Sequence, residues 1–367
     1  MIQSVEKIQI AEKSASGDRP VSVEKSQTAT QTLGLVLVPD FSMIAFTSLI
    51  EPLRLANRVS HQQLYDWKIY TIDGGPVQAS NGIRLEADGS IADIGPMPNV
   101  VVCGGVDIQR QDHTQLIAKL RRLAFYGVSI GAVCTGSYVL AKAGLLDGYR
   151  CTIHWENHES LREEFPGLDV TDELYEIDRS RFTCAGGTAA IDMMLSMINA
   201  RCGQEVAAAV TDELIHHRMR NANERQRMEL RARLGVANQR VLAVVATMEQ
   251  NIEEPLSCSA LADRVGFSAR QLERLFQKYI GQAPTRYYLG LRLARARHLL
   301  LQTSMPILSV ALACGFVSAS HFSKCYSEHF GRTPSEERFG PRQRAAKKDA
   351  AGLVLADEPP DSIGALA

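Results

Sequence analysis

The sequence predicts two folded parts of different class: an α/β domain on a parallel sheet with helices on both faces, then an all-α domain holding two helix-turn-helix units. Three observations carry that prediction. Residues 33–133 alternate short apolar runs of strand length with segments of helical spacing. A helix, Gly-Phe turn, helix pattern occurs at Gly266-Phe267 and again 49 residues later at Gly315-Phe316. The charge also changes sign along the chain. Residues 1–237 hold 24 basic and 29 acidic side chains, a net of −5. Residues 238–348 hold 16 and 8, a net of +8, and residues 349–367 hold none and four, a net of −4. The overall charge of −1 is a cancellation, so it does not exclude nucleic acid as a partner.

Residues 1–32 mix Lys, Glu, Ser and Gln without an apolar stretch and read as a disordered leader, not a signal peptide. Residues 33–38 (LGLVLV) form the first strand. An unbroken apolar run fits a strand buried on both faces, and Pro39-Asp40 ends it. Residues 47–57 have helical spacing. Residues 67–72 are β-rich and stop at the turn Gly74-Gly75-Pro76. A further buried strand, 100–103, ends in Gly104-Gly105. Residues 114–126 are an amphipathic helix with Leu116, Ile117, Leu120 and Leu123 on one face. A strand at 128–132 and a helix at 137–143 follow. The domain, taken as 33–203, is flavodoxin-like, and ligands of such sheets bind beyond the carboxyl ends of the strands.

Three loops fall at such ends. The first holds Pro39, Asp40, Phe41 and Ser42. The second is Gly104-Gly105, where missing side chains would expose backbone N–H groups to a ligand oxygen. The third runs Ala132-Val133-Cys134-Thr135-Gly136 between a strand and a helix. A cysteine on such an elbow gains from the helix dipole, which favours thiolate. His154, in Thr152-Ile153-His154-Trp155, is the candidate base partner.

Arginine becomes dense after residue 217. Arg218, Arg220, Arg225, Arg227, Arg231 and Arg233 read as a solvated helix within a helical connector, 204–237. Residues 238–251 form a helix with Val241, Leu242, Val244, Val245 and Met248 inward. Ser257 caps a helix over 258–265, and Ser268 caps the next, 269–280. Leu272, Leu275 and Phe276 face inward there; Ala269, Arg270, Glu273, Arg274 and Gln277 face out. The second unit repeats this, with helices over 306–314 and 318–330. Between the units, residues 285–302 form a helix begun by Pro284 and roughly 27 Å long. A rod of that length holds two recognition helices about one DNA turn, ~34 Å, apart. The reader domain is taken as 238–342, with units at about 258–280 and 306–330, and 343–367 as a disordered acidic tail.

Eight cysteines stand at 103, 134, 151, 184, 202, 258, 314 and 325, none in a CxxC pair. Neither a zinc site nor a disulfide framework is expected, and a reducing cytoplasm is. The longest apolar stretch, 33–50, is broken by Pro39 and Asp40, so no membrane helix is expected.

Two resemblances sharpen this reading. Gly131-Ala-Val-Cys134-Thr-Gly-Ser-Tyr-Val-Leu-Ala-Lys-Ala-Gly-Leu-Leu-Asp-Gly148, Thr152-Ile-His154-Trp155 and Gly186-Gly187-Thr-Ala-Ala-Ile-Asp192 resemble the PfpI branch of the class I glutamine amidotransferase-like superfamily. That resemblance implies a nucleophilic Cys134, a His154 partner and an oxyanion site at a Gly-Gly loop. It also implies a carboxylate on the first helix, at or near a position held here by Ala45, which Asp40 and Glu51 do not replace. A binding domain rather than an enzyme is therefore expected; an active Cys-dependent hydrolase or amidotransferase fused to a DNA-binding domain is the alternative.

Leu261-Ala-Asp-Arg-Val-Gly266-Phe-Ser-Ala-Arg-Gln-Leu-Glu-Arg-Leu-Phe276 resembles the first unit of the AraC/XylS family. Val310-Ala-Leu-Ala-Cys-Gly315-Phe316 and Ser320-His-Phe-Ser-Lys-Cys-Tyr-Ser-Glu-His-Phe-Gly-Arg-Thr-Pro334 resemble its second. That likeness implies base-facing residues near Ser268, Ala269, Arg270, Gln271 and Arg274, and near Ser320, His321, Ser323 and Lys324. Arg suits guanine; Ser and Lys suit phosphate or mixed contacts.

The pair of domains is similar to ligand-responsive activators of quaternary-amine and arginine catabolism. It implies a glycine betaine- or dimethylglycine-type inducer, promoter DNA and RNA polymerase as partners, and a homodimer formed through the first domain. No cofactor or metal is implied. A quaternary ammonium donates no hydrogen bond and is held by aromatic faces, for which Trp155, Phe41 and Phe46 are the candidates. The ligand carboxylate would take N–H donors from Gly104-Gly105 and from the turn at Cys134 and Thr135.

Overall fold

The structure, a computed structural model, describes residues 29–339. Most of the expected leader and all of the tail lie outside the described residues, but Gln31 and Thr32 already belong to strand β1 (Gln31–Leu37). Helix α1 (Met43–Ser60) follows, capped by the Ser42 hydroxyl, which accepts from Ala45 N. Next come β2 (Tyr65–Thr71), β3 (Val77–Gln78), β4 (Arg84–Leu85), β5 (Gly89–Ser90) and β6 (Asn99–Cys103). The alternation continues through α2 (Thr114–Phe125), β7 (Ser129–Val133) and α3 (Gly136–Lys142). The domain closes with β8 (Arg150–Cys151), α4 (His158–Glu164), β9 (Asp169–Val170), β10 (Tyr175–Asp178), β11 (Arg181–Cys184), α5 (Ala189–Cys202) and α6 (Gln204–Glu213).

The main sheet has the order β10-β11-β7-β6-β1-β2-β5. Its strands are parallel except at one edge, where β10 runs antiparallel to β11. The parallel-dominated sheet is the one the alternation of strands and helices predicts, with a single antiparallel edge strand added. The hairpin that reverses the chain turns at Arg179, whose φ of 54° lies in the left-handed region without a glycine to announce it. β1 neighbours β2 on one side and β6 on the other, so the strand order reverses there. The carboxyl ends of β1, β6 and β7 frame the crevice that such a reversal opens.

Alternate β1 residues explain its unbroken apolar run. Leu33, Leu35 and Leu37 pack into a core with α1 and α5, whereas Val36 and Val38 pack into a second core with α2 and α3. From Leu33 onward both faces of the strand are buried, so the run from there is apolar.

The expected solvated helix over 218–233 is not formed. Among the described residues only α7 (Leu230–Leu234) is helical there. The rest is an irregular strap bound to the first domain. Asp192 on α5, fully buried, accepts from Arg220 N at 2.7 Å, Arg220 Nε at 2.9 Å and His216 Nε2 at 3.0 Å. A buried carboxylate must be paired, so Asp192 fixes the path of the strap.

The reader consists of α8 (Gln239–Gln250), α9 (Cys258–Asp263), α10 (Ala269–Tyr279), α11 (Pro284–Gln302), α12 (Ile307–Ala313) and α13 (Ala319–Phe330). Two cores form in it. One gathers Val241, Val244, Val245, Met248, Leu272, Phe276 and Tyr288. The other gathers Leu293, Ala296, Leu299, Leu300, Phe316, Phe322 and Tyr326. Helix α11 enters both, with its first half in one and its second half in the other.

Candidate functional site: a cysteine elbow and a DNA-reading face

Cys134 stands one residue past β7 with φ 59°, a strained setting for a residue with a Cβ. Its own N–H donates to Cys184 O at 3.0 Å, which ties the elbow to β11. Close backbone approaches shape the rest. A Cβ on Gly104 would lie 2.0 Å from Gly136 N, one on Gly105 1.7 Å from Asp40 O, and one on Gly186 2.7 Å from Cys134 Cβ. These glycines are required by packing.

Several expected ligand contacts are already engaged. Gly104 N–H donates to Val133 O at 3.1 Å, so it does not present itself to a ligand oxygen. Thr135 is buried, and its hydroxyl donates to Gly105 O at 2.7 Å. Phe41 and Phe46 are 0% and 5% exposed and pack edge-to-face against each other at 5.6 Å. They are core residues, which corrects their assignment as cation-binding faces. Trp155 is the exception, at 37% exposure.

The environment of the thiol works against a thiolate. Burial pushes the Cys134 thiol up to about 11, with Glu156 adding to the rise; the Thr135 N–H opposes it and loses. His154 is lowered by its burial, with Glu156 pulling the other way. Its Nδ1 accepts from Glu156 N at 3.4 Å, which caps the turn Trp155–Asn157. Among the described residues no hydrogen bond joins Cys134 to His154. Ala45 is buried and brings no carboxylate, and Glu51 on α1 pairs with Arg54 at 2.6 Å. A cavity of about 630 Å³, lined by Ile94, Pro96, Met97, Lys119, Arg122 and Tyr126 among others, opens at the amino ends of β6 and β7, away from the elbow.

The second candidate surface lies on α10 and α13. Ser268, Ala269, Arg270, Gln271 and Arg274 are all exposed, as are Ser320, His321 and Lys324; Ser323 is half-buried. Ser268 accepts from Gln271 N at 3.3 Å, and Gln271 Oε1 accepts in return from Ser268 N at 2.8 Å. That reciprocal cap engages the Gln271 carbonyl and leaves its amide NH2 for DNA. Among the described residues Arg270 and Arg274 make no ion pair. Lys324 lies 4.0 Å from Glu328.

Residue-pattern reasoning missed the joint between the domains. Gln226 Nε2 donates to Glu173 O at 2.8 Å and Thr152 Oγ1 at 2.9 Å. Arg295 on α11 pairs with Glu159 on α4 at 2.9 Å, and the Ser160 hydroxyl donates to Gln302 Oε1 at 2.9 Å. The density of arginine in the connector signalled a role, but nothing in it named the acceptors. No described helix is long and apolar enough to cross a membrane.

A helix-turn-helix domain model matches residues 261–339, and a DJ-1/PfpI family model matches residues 35–200. Together with the paired, exposed recognition helices, these define the class: a DNA-binding transcription regulator with an α/β domain ahead of its reader. Over 310 residues the chain is 47% identical to the HTH-type transcriptional regulator GbdR of Pseudomonas aeruginosa, covering 84% of each. It is 43% identical to the regulator CdhR of the same organism, over 84% of this chain and 92% of that one. The chain belongs to the AraC/XylS family of transcriptional regulators, in the group that carries a DJ-1/PfpI domain. The first domain alone is similar to an isonitrile hydratase of Pseudomonas putida, at 30% identity over 50% of this chain and 77% of that one.

Proposed function

We propose that the protein is a cytoplasmic, ligand-gated activator of small-molecule catabolism genes. A quaternary amine or amino-acid-like ligand of the glycine betaine or dimethylglycine type binds without turnover beside Cys134, His154 and Trp155. Two copies join through the α/β domains, and the reader recruits RNA polymerase at the promoter. The observation that carries this reading is the pair of recognition helices, α10 and α13, packed on opposite halves of the rod α11 with their polar faces exposed. Non-catalytic binding is supported by a thiol held protonated by burial and by a His154 turned to its own backbone turn.

The test is promoter-DNA binding and transcription with and without glycine betaine, alongside a calorimetric screen of betaine, dimethylglycine, carnitine, choline and arginine. One of these is expected to give heat and to raise transcription. DNA binding retained after deletion beyond Arg233 would remove the reader assignment. The likeness to an isonitrile hydratase favours a second reading, a Cys-dependent enzyme fused to the reader. Turnover of small amides or nitriles that is lost in Cys134→Ser would establish it. Full inducer response in Cys134→Ser, with no turnover in the unmodified protein, would exclude it.

A further inference from the structure

Arg227 is the one arginine of the connector seated on an aromatic ring among the described residues. Arg218 pairs with Glu224, Arg220 with Asp192 and Arg233 with Glu249. Arg227 makes no hydrogen bond or ion pair among the described residues. Its guanidinium instead sits over the Trp155 ring, 4.4 Å from the centroid. The charges near it come from both sides of the joint: Glu156 beside the ring, and Glu249 and Arg233 from the reader side. The adjacent Gln226 is anchored under the same turn, at Glu173 O, Thr152 Oγ1 and Ile153 O, yet its own Oε1 is buried without a partner.

We infer that the Trp155 ring is the cation subsite of the ligand site and that Arg227 is its resident occupant, displaced when a quaternary ammonium binds. This rests on the ligand class proposed above. A ring face that already holds one cation at 4.4 Å is built for cations, but it cannot hold two at once. The exchange is nearly balanced. Arg227 has no hydrogen bonds to lose on leaving and regains hydration. A quaternary ammonium has no hydrogen bonds to lose on entering.

The consequence reaches the reader by a short route. The turn carrying Trp155 runs directly into α4, whose Glu159 and Ser160 touch Arg295 and Gln302 on α11. The strap carrying Arg227 runs into α7 and α8. Ligand binding therefore exchanges a contact between the first domain and the strap for a contact within the first domain. By linkage, a ligand that favours the released strap shifts the reader towards the state that strap allows.

The experiment uses the full chain with Trp67→Phe, which leaves Trp155 as the single tryptophan of two. Glycine betaine is titrated by calorimetry and by Trp155 emission into this protein and into its Arg227→Ala and Arg227→Lys derivatives. Removing the resident cation should tighten glycine betaine by about two- to fivefold. It should also move the ligand-free emission and promoter affinity towards the values of the saturated parent. Arg227→Lys should stay near the parent. Binding in the parent with unchanged affinity and unchanged emission in Arg227→Ala overturns the exchange and leaves the ligand class standing. No binding of glycine betaine, dimethylglycine or choline by the parent overturns the ligand class and the exchange with it.

Discussion

The two helix-turn-helix units share the dipeptide Gly-Phe at their turns, and the two turns are built for different purposes. Gly266 has φ 70° and no atom within 4 Å of where a Cβ would stand. Gly315 has φ 74°, but its Cβ would lie 2.6 Å from Ile252 O and 2.6 Å from Pro255 Cγ. The first glycine answers to its own backbone; the second lets the turn press against the α8–α9 loop of the other unit. The phenylalanines diverge in the same way. Phe267 is half-buried beneath Arg240 at 4.6 Å. Phe316 is 2% exposed beneath Arg292 at 4.1 Å. Arg292 also donates to Cys314 O at 2.8 Å and Gly315 O at 2.7 Å. A local motif thus serves as a bend in one copy and as a joint between copies in the other.

Substitution at the glycines tests this most severely. Gly315→Ala should cost about 3 kcal/mol of unfolding free energy, because the left-handed penalty adds to a clash with backbone. Gly266→Ala should cost about 1 kcal/mol, from conformation alone. Equal losses in denaturant titrations would remove the distinction between bend and joint. The arginines come next. Arg292→Ala removes two charged hydrogen bonds from buried carbonyls and should cost about 2 kcal/mol, against less than about 1 kcal/mol for Arg240→Ala.

DNA binding sharpens the same contrast from the outside. Arg270→Ala in the first unit should weaken promoter binding by about 1 to 2 kcal/mol and relax preference at one base pair. Lys324→Ala in the second should weaken all sequences alike and lower the salt slope by about 1. Anisotropy titrations across salt and operator variants read both, and the reverse pattern would exchange the roles of the units. The helix caps carry effects at the low end of this range. Ser268→Ala should cost about 1 kcal/mol, and Ser318→Ala a few tenths less, because only α10 has the reciprocal bond through Gln271.

Legibility in the sequence followed the range of the interactions involved. The apolar run of β1, the amphipathic α2 and the Gly-Phe turns are short-range signals, and each element lies where its pattern puts it to within a few residues. The edge hairpin of β10 and β11 was hidden because Arg179, not Gly or Asn, takes the left-handed position. Phe41 and Phe46 were misassigned because nearness to a motif along the chain says nothing about which side of the sheet a ring packs on. The rise of the Cys134 thiol comes from desolvation and Glu156, neither of which an elbow motif encodes. The strap at 216–227 has no periodicity. Its contacts are bonds to Asp192, Thr152 and Glu173, which lie 28, 74 and 53 residues away from the donors Arg220 and Gln226. No local pattern encodes such pairings.

Helix α11 sets one more constraint, on the genome rather than on the protein. Its 19 residues seat one reader on the first half and one on the second. Each residue inserted between the seats would advance the second reader by about 1.5 Å and turn it by about 100° around the rod. A single insertion therefore swings that reader away from the DNA, whereas a flexible tether would only lengthen its reach. The two half-sequences of an operator must keep the phase of this helix, and a promoter that drifts by one base pair cannot be followed by a one-residue change in the rod.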